Sequence, residues 1–400
     1  MQYKNLFRKL ERTLSKIEGS SDQLATTAEI LRRLVDDFRD DLGLVGGRIY
    51  ARQDDAYVLE REYPEGRARL GFRIPSAYPV IQELAVQGFV YRRVDDPDVD
   101  REIEGALGVE VFAAIMVGDD NDQIIAFSLA DDADASHVVH TLNTVRHAIN
   151  LKLRHEFLQD RVLEAREIQL SLLPPNHKVF GDFDIYAQTR PAEEVGGDLF
   201  DYLPISKRAL GLVVADASGH GLPAALQARD AIIGLRMGVA ESLRITATLD
   251  KLNKVIHRSA LASKFISLFY GELETNGTFV FCNAGHPPAL VWDGAFMVEL
   301  NRGGMVLGPN PEAAYERHYT SLSPGTVFLA YTDGITEAED AHGESFGVER
   351  LRRIVRSRPW PDAKGLVESV FDAVHAFTGR EQPEDDQTVL AVVRARSVAP

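Results

Sequence analysis

Residues 209–225, ALGLVVADASGHGLPAA, decide the fold of the C-terminal half. The apolar run Ala209–Ala215 reads as a strand, and Asp216 stands at its end. Ala217-Ser218-Gly219-His220-Gly221 then turns the chain into a helical pattern over Ala224–Leu243. A strand end holds a side chain in a defined place, and a glycine just beyond lets the backbone turn aside so that an ion can approach. Taken alone, Asp216 reads as a turn residue or as the cap of a helix over Leu222–Leu235.

Outward from this stretch, the arrangement recurs. Asp198 closes Glu194-Val195-Gly196-Gly197-Asp198. Asp333 follows the strand-like Val327-Phe328-Leu329-Ala330-Tyr331-Thr332 and precedes Gly334. Asp385-Asp386 stands directly before Gln387-Thr388-Val389-Leu390. Carboxylates gathered from distant strand ends repel one another unless a cation sits between them. Oxygen-only ligation suits Mg²⁺ or Mn²⁺ rather than zinc, which takes His or Cys. Two such ions about 3.5–4 Å apart lower a bridging water's pKa and polarise a phosphoryl oxygen, so hydroxide attacks a phosphate ester with no covalent enzyme intermediate.

Around these turns, strand-like runs (Phe183–Ala187, Phe265–Leu273, Thr278–Cys282, Ala289–Trp292, Thr326–Tyr331, Thr388–Val393) alternate with helical patterns at Ile245–Ser259, Gly347–Arg356 and Ala363–Thr378. Stacked sheets flanked by helices follow. Upstream, no proline or glycine interrupts Ala135–Leu173, which predicts a long helix ended by Pro174-Pro175. Leu151, Leu158, Val162, Ala165, Ile168 and Leu172 form a stripe along it, expected as a homodimer seam. Residues 1–43 read as two helices, the second carrying Leu24, Ile30, Leu31, Leu34, Phe38 and Leu42. Strand-like runs follow at Arg48–Ala51, Tyr57–Glu62, Leu70–Ile74, Val109–Val117 and Ile124–Leu129, with a helical stretch at Val80–Gln87 and a turn at 119–122. The division is therefore an α+β domain over 1–145, a helical linker over 146–175 and a second α+β domain over 176–400.

Sixty acidic against 44 basic residues give a formal charge of -16, which argues against a nucleic-acid or anionic-membrane binder. No apolar run spans a bilayer, the N-terminal MQYKNLFRKLERTLSK lacks a signal-peptide core, and the single Cys282 suits a reducing compartment. A cytoplasmic protein is the expectation.

Residues 160–395 resemble the SpoIIE/RsbU-type branch of the PPM metal-dependent protein phosphatases. Seven motifs in order carry the resemblance: Ala165–Gln169 through Leu172-Leu173-Pro174, the Asp198 and Asp216 turns, Phe265-Ile266-Ser267-Leu268-Phe269-Tyr270-Gly271, Asn283-Ala284-Gly285-His286-Pro287-Pro288, Tyr331–Glu337 and Asp385-Asp386-Gln387-Thr388. It implies an αββα sandwich with two Mn²⁺ or Mg²⁺ ions in a cleft at one end. Asp216 resembles the carboxylate bridging both ions, and the Ala217 carbonyl a ligand of the second. Asp333 and Asp385 resemble ligands of the first, with Asp386 the substitute if the register shifts by one, and Asp198 lies on the second ion's side. The larger PP2C enzymes hold phosphate with an arginine before the first acidic motif; Arg190 is the nearest here and reads as a solvated surface residue. Ser218 stands where those enzymes have a histidine, while His220 and His286 read as structural turn residues and Cys282 as core.

The implied activity is hydrolysis of phosphoserine or phosphothreonine on a partner protein, a STAS-type anti-sigma-factor antagonist by resemblance. The alternative is a regulated scaffold with little turnover. The N-terminal element order is similar to a GAF domain, with PAS the rival, and such a domain takes a small-molecule or protein signal. His137 and His140 read as surface residues rather than haem ligands.

Overall fold

A strand that is apolar at every position needs cover on both faces, and the N-terminal sheet shows why. The computed structural model describes residues 8–9, 12–13, 17, 23–66, 70–118, 121–259 and 265–395. Most of the first expected helix, and residues 119–120 of the expected turn, lie outside the described residues. Two units emerge, 1–161 and 162–400.

In the first unit, helices α1 (Gln23–Asp37) and α2 (Arg39–Leu42) lead into strands β1 (Leu44–Gln53), β2 (Ala56–Tyr63) and β3 (Arg73–Pro75). Helix α3 (Pro79–Gln87), β4 (Phe89–Arg93), α4 (Arg101–Leu107), β5 (Val111–Val117), β6 (Gln123–Leu129) and the long α5 (Ala135–Leu170) follow. The antiparallel sheet runs β3-β2-β1-β6-β5-β4. Val111, Ala113, Ile115 and Val117 of β5 pack toward Ile30, Leu34 and Phe38 near α1 and toward Val138, Leu142, Val145, Ile149 and Leu153 of α5. The alternate residues Phe112, Ala114 and Met116 pack toward Ile81 and Leu84 of α3. Both faces are covered, so both parities of the strand are apolar. Of the stripe expected along α5, Leu151, Leu158 and Ile168 are exposed (72%, 55% and 61%), while Val162, Ala165 and Leu172 are half-buried.

The second unit opens with β7 (His177–Phe180), β8 (Phe183–Arg190), β9 (Asp198–Ser206) and β10 (Ala209–Ala217). A helical hairpin, α6 (Gly221–Ala240) and α7 (Ile245–Arg258), precedes β11 (Ile266–Glu274), β12 (Thr278–Ala284), β13 (Ala289–Trp292) and β14 (Met297–Leu300). Short β15 (Gly303–Gly304) and β16 (His318–Ser321) lead to β17 (Val327–Tyr331), helices α8 (Asp333–Thr336), α9 (Gly347–Arg356) and α10 (Ala363–Thr378), and the final β18 (Gln387–Arg394). One sheet runs β15-β12-β11-β10-β9, with β16 beside β12; the other runs β14-β13-β17-β18-β8-β7.

Side-chain parity defines the layers. On β10, Leu210, Leu212 and Val214 enter a core shared with Phe328 of β17 and Leu390 and Val392 of β18, so this core lies between the sheets. Val213, Ala215 and Ala217 point the other way, into a core built with α6 and α7. Leu329, Tyr331, Val389 and Ala391 of the second sheet pack likewise with α9 and α10. The order is helix, sheet, sheet, helix, as expected for this half. Strand β9 was not expected, because Asp198 and Asp201 interrupt its apolar run. Asp201 is buried at 2% exposure and is met by Arg236 of α6, Nε to Oδ2 2.8 Å.

Candidate active site

The same parity places the acids. Asp216 follows Leu212 and Val214 by steps of two, which puts it on the inter-sheet face at the end of β10. Asp198 shares the face of Phe200 and Tyr202 at the start of β9 and is the cross-strand partner of Asp216. On the opposing sheet, Thr332 continues the inner face of Phe328 and Ala330. With Asp385-Asp386 directly before β18, four strand ends thus deliver carboxylates or their supports to one end of the sandwich.

Burial and proximity then act on their charges. Burial pushes the Asp216 carboxyl up to about 7, with Asp333, Asp385 and Asp386 adding to the rise. Asp198, 3% exposed, is raised well above the carboxylate range by burial and then by Asp216. Asp333 and Asp386 are raised by burial first, each with a contribution from Asp385. Glu337 is raised by burial, Asp333 and Asp385, which adds a sixth acid to the cluster. The five aspartates singled out in the sequence therefore feel one another in a single group. Like charges facing across strands are unfavourable, so burial and the neighbouring carboxylates act in the same direction on this group.

Polar neighbours hold two of the acids in place. Thr332 Oγ1 donates to Asp198 Oδ2 at 2.7 Å and accepts from Thr388 N at 2.8 Å. Asp386 is buried and accepts from Ala192 N at 2.8 Å and Gly197 N at 2.6 Å. Asp385 is exposed, and its Oδ1 accepts from Asp386 N at 2.8 Å. Helix α6 begins at Gly221 with His220 at its cap position, so Asp216 is not its cap. Thr332 and Thr388 were not assigned a role from sequence; their only signal was position, each on an inward parity next to an acidic turn.

The site fits hard cations by its donors. All candidate side-chain ligands are carboxylate oxygens, and Ala217 adds a backbone carbonyl. A Cβ at Gly197 would stand 2.6 Å from Ala217 O, so glycine keeps that oxygen uncovered. Among the described residues, no three acidic, histidine or cysteine side chains already close tightly on a common point. The fit rests on the donor set and on charge, not on a preformed cage.

The remaining candidates separate clearly. Arg190 is not a free surface residue: it is half-buried, its guanidinium lies 4.2 Å from the Phe371 ring centre, and it lines a cavity of about 340 Å³ beside Gly334, Glu337 and Asp385. The apolar floor supplied by α10, unseen at sequence level, makes the difference. His220 pairs Nδ1 with Glu193 Oε1 at 2.7 Å on the surface. Ser218 Oγ accepts from Phe265 N at 2.9 Å. His286 is buried, bonded at Nδ1 to Ser267 Oγ at 2.8 Å, and burial pushes its pKa down to about 3. Cys282 is core, and burial pushes its thiol up to about 12.

Comparison with known proteins agrees with the fold of the second unit. Residues 206–395 match the family described as Stage II sporulation protein E (SpoIIE). The chain is 26% identical to the phosphoserine phosphatase RsbU of Bacillus subtilis over 236 residues, 58% of this chain and 69% of that protein. It is 24% identical to the phosphoserine phosphatase RsbP of the same organism over 153 residues, 36% of this chain and 38% of that protein. Among solved structures, the SiaA-PP2C domain of Pseudomonas aeruginosa superposes with a TM-score of 0.53 at 21% identity, covering 60% of this chain and 98% of that domain. No helix among the described residues is long and apolar enough to cross a membrane.

Proposed function

We propose, from the premise that residues 206–395 form a SpoIIE-family serine/threonine phosphatase domain of PP2C type, that the whole chain removes phosphate from a partner protein under control of its N-terminal unit. The observation that carries this is the group of mutually repelling carboxylates at one end of the sandwich. In this reading Asp216, Asp333 and Asp385 hold two Mn²⁺ or Mg²⁺ ions with the Ala217 carbonyl, and Asp198 lies on the second ion's side. When bound, the ions supply Lewis acidity, activating water and neutralising the phosphoryl oxygens. Asp386 is the poorer ligand, because two backbone amides already take its oxygens. Its carboxylate instead holds the glycine loop, and Thr332 aims Asp198. Arg190 and the cavity beside Asp385 offer room for the substrate next to the acids.

The resemblance of the catalytic domain to RsbU and RsbP supports a STAS-type anti-sigma-factor antagonist as the phosphoprotein. The six-stranded antiparallel sheet of the first unit, covered by α1 and α5 on one face and α3 on the other, supports a GAF-like sensor taking a small-molecule or protein signal. The exposed Leu158 and Ile168 support a homodimer through α5, and the charge and single cysteine a cytoplasmic setting. Hydrolysis of p-nitrophenyl phosphate by the purified full chain tests the activity. Turnover with Mn²⁺ or Mg²⁺ that EDTA abolishes is expected; a full chain that neither turns over nor binds Mn²⁺ in calorimetry returns the scaffold reading.

A further inference from the structure

A loop that positions a carboxylate must itself be held, and the loop before Asp198 is held from three sides. Gly197 N donates to Asp386 Oδ2 at 2.6 Å, and Gly197 O accepts from Ala217 N at 3.2 Å. Both grips come from segments that carry acids of the cleft. The third comes from elsewhere. Gln169, in the last turn of α5, donates from Nε2 to Gly196 O at 2.5 Å and accepts at Oε1 from Gly196 N at 3.4 Å. A primary amide has a donor and an acceptor on one rigid plane, so one side chain takes both polar groups of Gly196.

The loop has little freedom to adjust. A Cβ at Gly196 would stand 2.5 Å from Asp386 Oδ2. On the far side of Asp198, Arg236 donates from Nε to the buried Asp201 at 2.8 Å and from Nη2 to Leu172 O at 2.7 Å. The helix end therefore touches the β9 segment at residue 196 and, through Arg236, at residue 201. Asp198 lies between the two. The neighbours Ile168 and Leu170 are exposed, so the half-buried Gln169 is the polar residue of this turn that faces the loop.

We propose that Gln169 is a positioning residue for the phosphatase reaction: its side-chain amide holds Gly196 so that the loop presents Asp198 and the Asp386 grip in register for cation binding. This rests on the phosphatase reading above. A shift of the helix end by about an ångström takes the longer of the two bonds beyond hydrogen-bond range, so the loop senses where α5 ends.

The test uses the full chain with Gln169→Met and Gln169→Glu. Amide exchange of the 195–203 segment is followed by mass spectrometry in EDTA, and Mn²⁺ affinity by calorimetry. In Gln169→Met the segment is expected to exchange faster without metal, Mn²⁺ to bind about 10–100-fold more weakly, and kcat to fall more than KM rises. Gln169→Glu should behave alike at neutral pH, because the carboxylate cannot donate to Gly196 O. Toward about pH 4.5 it gains a proton that restores a donor beside an acceptor, and protection of the segment should return in Gln169→Glu but not in Gln169→Met. Unchanged exchange and Mn²⁺ affinity, or a fall in Tm alone, would overturn the proposal. Should the wild-type chain itself fail to bind Mn²⁺, the phosphatase reading fails, while the exchange arm still reports on Gln169.

Discussion

Both units bury ionisable groups, and they do so in opposite ways. In the N-terminal unit Arg48 and Glu104 are 3% and 5% exposed and face a cavity of about 30 Å³ with Tyr50 and Tyr78. Arg48 donates to Leu107 O and Ser128 Oγ, both at 3.2 Å. Burial pushes Glu104 up to about 7 while Arg48 and the Tyr78 hydroxyl pull it back. That cavity has room for only a few waters. At the candidate site of the second unit, Asp198, Asp216, Asp333 and Asp386 all carry one sign. Opposite charges can settle inside a fold by pairing with each other, whereas like charges need a partner from outside. In the first cluster Arg48 offsets part of the rise of Glu104, although its Nε finds no hydrogen-bond partner. In the second, no positive charge is among the groups acting on Asp198, Asp216, Asp333 and Asp386.

The largest effect that could break this contrast is loss of the Asp216 carboxylate, proposed above as a cation ligand. Asp216→Asn is expected to cut metal-dependent turnover of p-nitrophenyl phosphate by more than the roughly 100-fold carried by residues that merely support ligands. Near-wild-type rates would place the chemistry elsewhere. Next comes Thr332→Val, which strips Asp198 of its hydroxyl donor without changing much volume. Mn²⁺ affinity should fall about 10–100-fold by calorimetry, and an unchanged isotherm removes Thr332 from the site.

Two smaller effects concern pH. Because the folded pKa of Asp216 is raised to about 7, its protonated form is favoured by the fold, and stability declines as pH rises from the unfolded value toward and through 7. Metal-free Asp216→Asn should therefore melt above metal-free wild type at pH 8, with the gap closing toward pH 5. An inverted gap would mean that the cluster is not repulsive. Glu104 follows the same sign, its contribution full below about 4.5 and lost through about 7. Glu104→Gln should raise the apparent Tm by a few degrees at pH 8 and hardly at pH 5, with turnover unchanged. A lower Tm at pH 8 would show that the Glu104 charge is needed to hold Arg48, which sharpens the contrast.

How far the sequence alone reaches follows from the same physics. Asp216 and Asp333 were legible because a strand-like run, an acid and a glycine stand in immediate succession. The sandwich was legible because its strands are short, apolar and punctuated by turns, and the long helix because nothing in 135–173 breaks it. Strand β9 was hidden: its acids at 198 and 201 serve opposite faces, one the cleft and one Arg236, and alternation masked by two charges does not read as a strand. Arg190 was misread because the Phe371 ring beneath it arrives from 181 residues later in the chain. Thr332, Thr388 and Gln169 were invisible as functional residues, since a hydroxyl or amide reveals its role only through the partner it reaches. Short-range spacing encodes which residues turn; long-range pairing decides what they turn toward.

The parity of β10 has a consequence for how this chain tolerates change. Asp216 faces the cleft because it lies an even number of residues from Leu212, while Ala215 and Ala217 face the helices. One residue inserted or deleted between Leu210 and Val214 would turn the carboxylate into the apolar layer under α6 and carry an alanine into the cleft. The strand thus behaves as a reading frame with a period of two, in which a frameshift silences the site before any functional side chain is altered. Length variation is accordingly expected in the turns beyond the strand ends, and never within β10.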